Sequence, residues 1–207
     1  MSRCVVVGGA DIKEYETVKS MLCKDDYVVF CDCGLRHIEG LGVKPRLIVG
    51  DFDSYDNPQM EGVETIVLPC EKDDTDTVYA VKEALKRGFN EFLLIGMIGA
   101  RLDHTLGNVS ILLKLDSLGI KAQIVDDYSD MEIVSNKPVS IPDSYSYFSL
   151  LNISGIAEQV SIRDAKYPLE NAVIDCEYQY GISNEILPGK TAIVSVGKGR
   201  LLLIKDR

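Results

Sequence analysis

The stretch Leu47-Ile48-Val49-Gly50-Asp51-Phe52-Asp53-Ser54 decides how the rest of the chain is interpreted. Its apolar start predicts a buried strand, and its polar end predicts a loop at the carboxyl end of that strand. Residues i and i+2 of an extended chain point the same way, so we expect the carboxylates of Asp51 and Asp53 to lie side by side. Such groups repel each other unless a cation lies between them, and oxygen ligands of this kind suit Mg²⁺. The alternative is a simple turn, since Asp and Ser favour turns for backbone reasons.

The first part of the chain alternates short apolar runs with helical patterns. We expect six strands, at residues 4–7, 27–31, 47–49, 64–68, 91–95 and 121–125. Helices are expected at 15–22, around Val78, Val81 and Leu85, and at 102–118 with Leu106, Val109 and Leu113 on one stripe. Near-continuous apolar strands that alternate with helices are typical of a parallel, Rossmann-like sheet covered on both faces.

The pattern changes after the polar segment 126–130. Short β-type runs follow at 131–134, 147–152, 159–162, 172–178, 191–196 and 201–204, separated by turn signals such as Pro138, Pro142 and Gly189. That spacing indicates a small antiparallel sandwich or barrel. We therefore predict an α/β nucleotide domain over residues 1–127 and a β-sandwich domain over residues 128–207.

Composition narrows the classes of function. The net charge of −10 argues against non-specific binding to nucleic acid or to an anionic membrane surface. No secretory signal or membrane-spanning run is evident, and the six cysteines lack the spacing of a disulfide scaffold, so we expect a reduced, cytoplasmic protein. Cys31-Asp32-Cys33 has no second Cys pair or His cluster beside it, which favours ordinary buried thiols over a metal or redox pair.

Charged and glycine-rich loops follow four of the predicted parallel strands. Ligands bind at the carboxyl ends of the strands in such sheets, so these four loops should lie along one edge. From Gly50 through Asp76 there are nine acidic residues and a single base, Lys72. Such a rim repels a bare polyphosphate, but with a divalent metal it becomes a site for a metal–phosphate complex. The loops begin at Asp32, Asp51, Glu71 and Gly96.

The segment from Gly96 to His104 supplies the complementary positive charge. A glycine-spaced turn into a helix exposes backbone N–H groups to an anion, and Arg101 can bind phosphate oxygens through two hydrogen bonds. Asp76 and Asp103 lie near predicted helix starts, so helix capping is an alternative role for both. His104 is either a phosphate donor or a hydrogen-bonded helix residue, and His37 is expected to be an ordinary surface or loop histidine.

Several familiar motifs are missing from the sequence. Gly189-Lys190-Thr191 has the tail of a Walker A loop, but Asn184 stands where a glycine is required. Gly8-Gly9 lacks the third glycine of a dinucleotide fingerprint, which argues against a nicotinamide cofactor. No nucleophile-elbow serine is present.

Three motifs, taken together and in this order, resemble those of the thiamine pyrophosphokinase family. They are Gly50-Asp51-Phe52-Asp53-Ser54, Lys72-Asp73-x-Thr75-Asp76, and Gly96-x-x-Gly99-x-Arg101-x-Asp103-His104 with Asn108. Lys166-Tyr167-Pro168-Leu169 and Gly181-Ile182-Ser183-Asn184-Glu185 match the family's C-terminal domain, so the resemblance covers nearly the whole chain. It implies an α/β nucleotide domain followed by a β-sandwich, in a homodimer. The implied activity is Mg²⁺-dependent transfer of a pyrophosphoryl group from ATP to the hydroxyl of thiamine, with release of AMP.

The resemblance also implies roles for individual residues. Catalytic roles fall to Asp51, Asp53, Asp76, Arg101 and Asp103, and the first three are the expected Mg²⁺ ligands. Arg101 would neutralise phosphates, and Asp103 would orient Arg101 or the acceptor. Asp73 or Asp32 could accept the hydroxyl proton, and nothing in the sequence selects one of them. Substrate contacts are expected from Asp32, Lys72, Asp73, Thr75, Gly96, Gly99, His104 and Asn108, and from Ser183 and Asn184 near the vitamin, at a subunit interface.

Two departures from the family pattern bear on the acceptor. The family's usual Ala-Asp-Gly-Gly is Cys31-Asp32-Cys33-Gly34 here, and its Gly-Gly-Arg is Gly99-Ala100-Arg101, so side chains stand where backbone meets a ligand. The chain has no Trp to stack on the vitamin. One of the tyrosines at 167, 178 and 180 could replace it, or all three could be core or strand-surface residues. Two other functions stay open: a pyrophosphokinase with another acceptor, such as a hydroxymethylpterin, and a non-catalytic module that binds thiamine diphosphate or a nucleotide.

Overall fold

A computed structural model describes residues 3–53, 55 and 58–207 of the chain. Ser54, from the central motif, and Asp56, one of the nine acidic residues counted above, lie outside the described residues. The chain divides into two compact units, Met1–Asp127 and Tyr128–Arg207.

The first unit is built on a parallel sheet. Its strands, within the described residues, are β1 (Cys4–Val7), β2 (Tyr27–Cys31), β3 (Leu47–Gly50), β4 (Glu64–Val67), β5 (Glu91–Ile95) and β6 (Lys121–Val125). They pair in the order β6-β5-β1-β2-β3-β4, and every pair is parallel. All residues of β1 and β3 are buried, as strands covered on both faces must be. The predicted parallel α/β fold is confirmed.

Helices connect these strands. They are α1 (Tyr15–Lys19), α2 (Ile38–Leu41), α3 (Asp76–Lys86) and α4 (Leu102–Ser117), together with a 3₁₀ helix over Asp32–His37 that directly precedes α2. Thr75 caps α3 by accepting a hydrogen bond from the backbone N–H of Val78 at 3.3 Å. Gly88 and Gly119 follow α3 and α4 with φ of 87° and 70°, the left-handed conformation that ends a helix.

The structure corrects three expectations for this unit. Helix α1 is shorter than the predicted 15–22, because the N–H groups of Met21 and Leu22 donate three residues back, to Val18 and Lys19, in a tighter turn. The carbonyl of Met21 accepts from the guanidinium of Arg3 at 2.7 Å. The predicted stripe of α4 is wrong at Leu106, which is 59% exposed, whereas Leu112 and Leu115 are buried. The sequence predicted neither the 3₁₀ helix nor α2.

His37 is the third correction, because it is neither at the surface nor in a loop. It lies in the 3₁₀ helix and is 1% exposed. Its Nδ1 lies 2.7 Å from the hydroxyl of Tyr15, and its Nε2 lies 2.9 Å from the carbonyl oxygen of Ala10. Burial lowers the pKa of this imidazole, so it acts as a neutral bridge between α1 and the loop after β1.

The second unit is a sandwich of two antiparallel sheets. One sheet has the order β12-β9-β14-β7 and the other β11-β10-β13-β8. Their strands are β7 (Ser129–Val134), β8 (Val139–Pro142), β9 (Tyr147–Leu151), β10 (Ile156–Arg163), β11 (Leu169–Asp175), β12 (Gly181–Asn184), β13 (Thr191–Ser195) and β14 (Leu201–Asp206). Both sheets contribute to one apolar core, in which Phe148 and Leu203 from one sheet and Val160 and Val194 from the other are buried.

Two of these strands, β8 and β12, were not expected from the sequence. Pro142 ends β8 and pairs with Thr191, which is tolerated because β8 lies at the edge of its sheet. Strand β12 starts at a glycine and contains a register shift at Ser183, whose φ is 57°. Irregular edge strands of this kind leave little trace in a hydrophobic pattern.

Within the part of the chain that the structure describes, no helix combines the length and apolarity needed to cross a membrane.

Alanine substitutions at two glycines test the packing of the first unit. A Cβ at Gly34 would lie 2.2 Å from the backbone oxygen of Val7, and this main chain cannot move aside. We expect Gly34→Ala to lower the free energy of unfolding by about 2 kcal/mol or more. Gly107 lies inside α4 with open space around its Cβ position, so Gly107→Ala should raise that free energy by about 1 kcal/mol. Urea unfolding measures both, and equal stability of Gly34→Ala and the wild type would contradict the described contact with β1.

Candidate active site

A cavity of about 550 Å³ lies at the carboxyl ends of the parallel strands of the first unit. Loops that follow β1, β2, β3, β4 and β5 all contribute to its wall. The lining residues are Gly8, Gly9, Ala10, Asp11, Cys31, Asp32, Cys33, Arg36, Asp51, Asp53, Lys72, Thr75, Asp76, Thr77, Gly96, Met97, Gly99, Ala100, Arg101, His104, Thr105 and Asn108. The four charged and glycine-rich loops predicted to meet at one edge therefore do meet there.

The cavity lies where the strand order changes direction. From β1 the chain adds β2, β3 and β4 on one side and then returns to place β5 on the other, which is the usual ligand position in such sheets. The loops after β1 and β5 touch there: a Cβ at Gly8 would lie 2.7 Å from the oxygen of Gly96, and Gly96 has a φ of 65°. The backbone N–H of Ala10 donates to that oxygen at 3.0 Å. Glycine is required at both positions because two backbones meet.

Three carboxylates come together on the β2–β3 side of the cavity. Among the described residues, Asp32, Asp51 and Asp53 place one oxygen each within 4.8 Å of the others, which is close enough to share one metal ion. Gly50 makes this possible, because a Cβ there would lie 2.9 Å from the Cβ of Asp32. The predicted ligand set was Asp51, Asp53 and Asp76, so Asp32 stands in this group where Asp76 was expected.

The turn that aims Asp51 and Asp53 differs from the predicted extended geometry. Strand β3 ends at Gly50, and Phe52 adopts a left-handed conformation with φ of 58°. A non-glycine residue pays about 1–3 kcal/mol for such a backbone unless its surroundings hold it there. The ring of Phe52 packs against the apolar core of the sheet, and this contact holds the turn. The two carboxylates converge because of this turn rather than because of strand pleating.

Lys72 lies between Asp51 and Asp76. Its ammonium donates a short hydrogen bond to Asp51, and it lies 3.1 Å from Oδ1 of Asp76 in an ion pair without a well-aligned hydrogen bond. All three side chains are mostly buried. The lysine therefore separates Asp76 from the group of three carboxylates, which explains why Asp76 is not part of it.

Burial and charge shift the protonation equilibria of these groups in different directions. Burial raises the pKa of Asp32, and the nearby Asp76 and Asp51 carboxylates raise it further. Burial also raises the pKa of Asp76, although Lys72 opposes this shift. The hydrogen bond from Lys72 lowers the pKa of Asp51. Burial opposes the charge on Lys72, but its bonds to Asp51 and Asp76 outweigh this and raise its pKa.

Arg101 lies at the opposite wall, at the start of α4. Its Nε and Nη2 donate to the two carboxylate oxygens of Asp103 at 3.0 and 2.6 Å, and both side chains are exposed. This hydrogen bonding lowers the pKa of Asp103 and raises that of Arg101. Asp103 thus orients the guanidinium, one of the two roles expected for it, although Asp103 is not among the residues that line the cavity.

The glycine-rich loop before α4 is held by two side chains of that helix. The hydroxyl of Thr105 accepts from the backbone N–H of Gly99 at 3.1 Å, and the amide of Asn108 donates to the carbonyl of Met97 at 2.9 Å.

Helix capping was the alternative role for Asp76 and Asp103, and neither residue has it. The capping positions of α3 and α4 are Thr75 and Arg101.

Asp73, Ser183 and Asn184 are predicted site residues that are also outside the cavity lining. Ser183 and Asn184 belong to the second unit. The Asn184 side chain is buried and bound to backbone: it accepts from the N–H of Tyr167 at 3.0 Å and donates to its carbonyl at 2.8 Å. Asn184 therefore fixes Tyr167, whose ring is 59% exposed.

Sequence reasoning missed several residues of the cavity wall. Gly8 and Gly9 were considered only as an incomplete dinucleotide motif, and Thr105 and Arg36 were not considered at all. Arg36 donates to the carbonyl of Cys33 at 3.0 Å and pairs with Asp11 at 3.3 Å. Thr105 lies four residues after Arg101, about one helical turn. This spacing is the sequence signal that could have predicted Thr105 on the cavity side of α4.

Comparison with known proteins identifies the family. The model for the thiamin pyrophosphokinase catalytic domain matches residues 18–124, and the model for the vitamin B1 binding domain of the same enzyme matches residues 132–201. The chain belongs to the thiamin pyrophosphokinase family. The thiamine pyrophosphokinase of Bacillus subtilis is 29% identical over 182 residues, which are 84% of this chain and 85% of that protein.

Solved structures of other family members share the fold of the whole chain. A thiamin pyrophosphokinase from Geobacillus thermodenitrificans has a TM-score of 0.84 at 26% identity, and covers 100% of this chain and 98% of its own. A thiamin pyrophosphokinase family protein from Enterococcus faecalis has a TM-score of 0.81 at 27% identity, with 100% and 99% coverage. The cavity lies in the part of the chain matched by the family's catalytic domain, apart from Gly8 to Asp11.

The residues present fit a hard divalent cation. Carboxylate oxygens are the ligands that Mg²⁺ prefers, and three of them are grouped in the cavity. Oδ1 of Asp32 is buried and has no hydrogen-bond partner among the described residues. A buried acceptor of this kind costs stability unless something binds it.

The substitution Asp32→Asn should have opposite effects on the stability of this family member and on its affinity for metal. The amide keeps the shape of the carboxyl group and removes one of three mutually repelling charges. We expect the free energy of unfolding of the metal-free protein to rise by about 1 kcal/mol. Mn²⁺ affinity should fall at least about tenfold, the loss that even an outer-shell change causes.

Urea unfolding and equilibrium Mn²⁺ binding measure the two effects. Asp25→Asn is the matched control, because Asp25 is exposed and is not among the residues that line the cavity. It should leave both quantities near their wild-type values. Unchanged Mn²⁺ affinity in Asp32→Asn would remove Asp32 from the metal site.

Proposed function

We propose that this protein transfers a pyrophosphoryl group from ATP to the hydroxyl of thiamine, giving thiamine diphosphate and AMP, as a Mg²⁺-dependent homodimer. The observation that carries the proposal is the group of three carboxylates in a cavity at the switch point of a parallel sheet. Two family domains support the substrates, because one is described as catalytic and the other as binding vitamin B1.

Asp51, Asp53 and Asp32 would hold the metal ion. When bound, Mg²⁺ supplies positive charge that neutralises phosphate oxygens and the carboxylates together. Asp76 would act on the other side of Lys72, where it fixes the ammonium by an ion pair of 3.1 Å. This arrangement leaves Lys72 in the cavity wall, within reach of a polyphosphate.

Arg101 and the loop that precedes it would bind the phosphates. Asp103 occupies the Nε–Nη2 edge of the guanidinium and holds it in one orientation. The N–H groups of Nη1 and the second N–H of Nη2 would then donate to phosphate oxygens. A Cβ at Gly96 would lie 2.6 Å from the oxygen of Gly8, and one at Gly99 would lie 2.9 Å from the Cβ of Ala10, so both glycines let this loop pack against the loop after β1. Thr105 and Asn108 keep it in place. His104 and Thr75 line the same cavity and complete the set of polar contacts.

The reaction is an in-line displacement at the β-phosphorus of ATP. A bond forms between the hydroxyl oxygen of thiamine and the β-phosphorus, and the bond from that phosphorus to the α–β bridging oxygen breaks, so AMP leaves with the electron pair. The hydroxyl proton is released during the step. The chain's contribution is positioning and charge stabilisation, which are the main sources of catalysis in phosphoryl transfer. Of the two carboxylates considered for the proton, Asp73 does not line the cavity, and Asp32 lines it but is assigned to the metal ion.

The vitamin would bind to the second unit near Ser183. The left-handed backbone of Ser183, with φ of 57°, marks a strained position of the kind often found at ligand sites. Asn184 fixes the backbone of Tyr167 beside it, and the ammonium of Lys166 lies 5.6 Å from the centroid of the exposed Tyr167 ring. A flat, cationic ligand would stack on the other face of that ring. Tyr178 and Tyr180 pack against each other at 5.7 Å between ring centroids, and Tyr180 donates to the carbonyl of Val173 at 2.7 Å.

The two alternative functions have less support. A pterin acceptor does not explain why residues 132–201 match a vitamin B1 binding domain. A non-catalytic binding module does not need three grouped carboxylates, since their repulsion lowers stability without aiding the binding of an anionic product.

Product analysis tests the proposal directly. Incubation with ATP, Mg²⁺ and thiamine should yield thiamine diphosphate and AMP by mass spectrometry. Asp51→Asn and Asp53→Asn should each lower kcat by about 10³-fold or more, because charge stabilisation is lost in the transition state. Glu170→Gln is the control, because Glu170 is an exposed carboxylate of β11 and is not among the residues that line the cavity.

Three results would contradict the proposal. AMP release that depends on a hydroxymethylpterin and not on thiamine would change the acceptor. Tight binding of thiamine diphosphate with no AMP release at millimolar Mg²⁺ would make the protein a binding module. Near-normal turnover of Asp51→Asn would refute the metal assignment.

Steady-state kinetics of Tyr167→Ala tests the vitamin site. Loss of the ring should raise KM for thiamine about tenfold, equal to about 1.4 kcal/mol, and should leave KM for ATP within about twofold. Tyr178→Ala is the matched comparison, because its ring is also exposed. A larger rise in thiamine KM for Tyr178→Ala than for Tyr167→Ala would assign the stacking role to the other tyrosine.

A further inference from the structure

The sequence Cys31-Asp32-Cys33 brings a thiol to the edge of the carboxylate group. The two cysteines differ in their exposure, although burial raises the pKa of both thiols; Cys31 is buried. Cys33 is only partly buried and lines the cavity. A Cβ at Gly9 would lie 2.5 Å from the Cβ of Cys33, so the side chain of Cys33 is packed directly against the main chain of the loop after β1. The thiol therefore has a defined position in the cavity wall.

The position of this sulfur relative to Asp32 matches that of two ligands of one metal ion. The thiol of Cys33 donates a hydrogen bond to Oδ2 of Asp32, with Sγ and Oδ2 3.5 Å apart. In a tetrahedral site with a metal–sulfur distance of about 2.3 Å and a metal–oxygen distance of about 2.1 Å, sulfur and oxygen lie about 3.6 Å apart. The observed separation needs almost no rearrangement to reach that value.

An independent observation at the same carboxyl group indicates that a cation belongs there. Asp32 is 5% exposed, and its Oδ1 is buried without a hydrogen-bond partner among the described residues. One of its oxygens lies within 4.8 Å of oxygens of both Asp51 and Asp53. Asp32 is therefore shared between a hard, all-oxygen group on one side and a soft sulfur atom on the other.

We propose that Cys33 makes this cavity a mixed sulfur–oxygen site for thiophilic divalent cations such as Zn²⁺ and Cd²⁺, which compete there with Mg²⁺. Sulfur ligands select these softer ions, whereas carboxylates alone favour Mg²⁺. The inference rests on the metal site of the proposed function, because the two kinds of ion share Asp32. When the ion binds, the Cys33 S–H bond is replaced by a sulfur–metal bond, and the proton is released to solvent.

This site has a functional consequence. A thiophilic ion held by Cys33 and Asp32 would occupy carboxylate oxygens that the Mg²⁺-dependent reaction needs. Zn²⁺ is therefore an inhibitor that Mg²⁺ relieves by competition. A glycine at this position would provide no sulfur, so the property depends on Cys33.

Cadmium absorbance tests the site without relying on catalysis. In thiol-free buffer, one equivalent of Cd²⁺ added to the wild-type protein should produce a thiolate-to-metal charge-transfer band in the ultraviolet. Millimolar Mg²⁺ should reduce this band. Cys33→Ser should remove the band and weaken Cd²⁺ binding at least about tenfold. Cys33→Ala, which adds no new hydroxyl ligand, should behave in the same way.

Cys176→Ser is the matched control, since Cys176 is an exposed thiol in the second unit. It should keep the full band. A band that survives in both Cys33 variants, that is lost in Cys176→Ser, or that Mg²⁺ does not reduce would overturn the inference. Circular dichroism of each variant confirms that it is folded.

A parallel assay separates this inference from the proposed function. Wild-type protein that forms AMP from ATP and thiamine with Mg²⁺, but shows no Cys33-dependent cadmium band, would contradict the inference alone. Wild-type protein that shows the band but forms no AMP would contradict the proposed function and leave the mixed site standing.

Discussion

The mutual repulsion of the Asp32, Asp51 and Asp53 carboxylates is the constraint on which the site depends. Three like charges within 4.8 Å of one another are tolerated in a cavity only where other groups offset their repulsion. Lys72 supplies part of this balance through Asp51, and burial of Asp32 adds to the cost instead of reducing it. Oδ1 of Asp32 is buried without a hydrogen-bond partner among the described residues, which is the state expected of a site that binds a divalent ion with its substrate.

The fold imposes this arrangement through backbone geometry. Strands β2 and β3 are parallel neighbours, so their carboxyl ends deliver Asp32 and Asp51 to the same edge of the sheet. Gly50 removes the side chain that would separate them, and the left-handed turn at Phe52 brings the next carboxylate back toward the cavity. On the opposite wall, the contact between Gly8 and Gly96 lets the loops after β1 and β5 meet at the switch point. The glycines at 8, 50 and 96 each place backbone where a Cβ would collide with another part of the cavity wall.

Hydrophobic periodicity predicted most of the fold, because a parallel sheet needs continuous apolar strands. Strands β5 and β6 have the predicted bounds, and the motif order pointed to the correct family. The missed elements lack such a pattern: the 3₁₀ helix over Asp32–His37 is short and polar, and β12 is interrupted at Ser183. Leu106 was placed on the buried stripe of α4 because periodicity does not show where the first turns of a helix extend past the sheet to a cavity.

The site was predicted less completely than the fold, because its residues act through contacts that are distant in sequence. The pairing of charges in one loop was visible, but the choice of Asp32 over Asp76 as the third carboxylate depends on where the ammonium of Lys72 lies. The backbone role of Asn184, bound to Tyr167, was also hidden, since an amide near a ligand motif looks like a ligand contact. These relations require the folded geometry of both partners.

Equilibrium binding of Mn²⁺, followed by paramagnetic resonance with and without a non-hydrolysable ATP analogue, tests the central claim most directly. If a divalent ion joins the three carboxylates to the nucleotide, each wild-type chain binds Mn²⁺ and the analogue tightens that binding. The triple variant Asp32→Asn, Asp51→Asn, Asp53→Asn then loses both the binding and the effect of the analogue. Equal Mn²⁺ affinity in the wild type and in a folded triple variant would contradict the account.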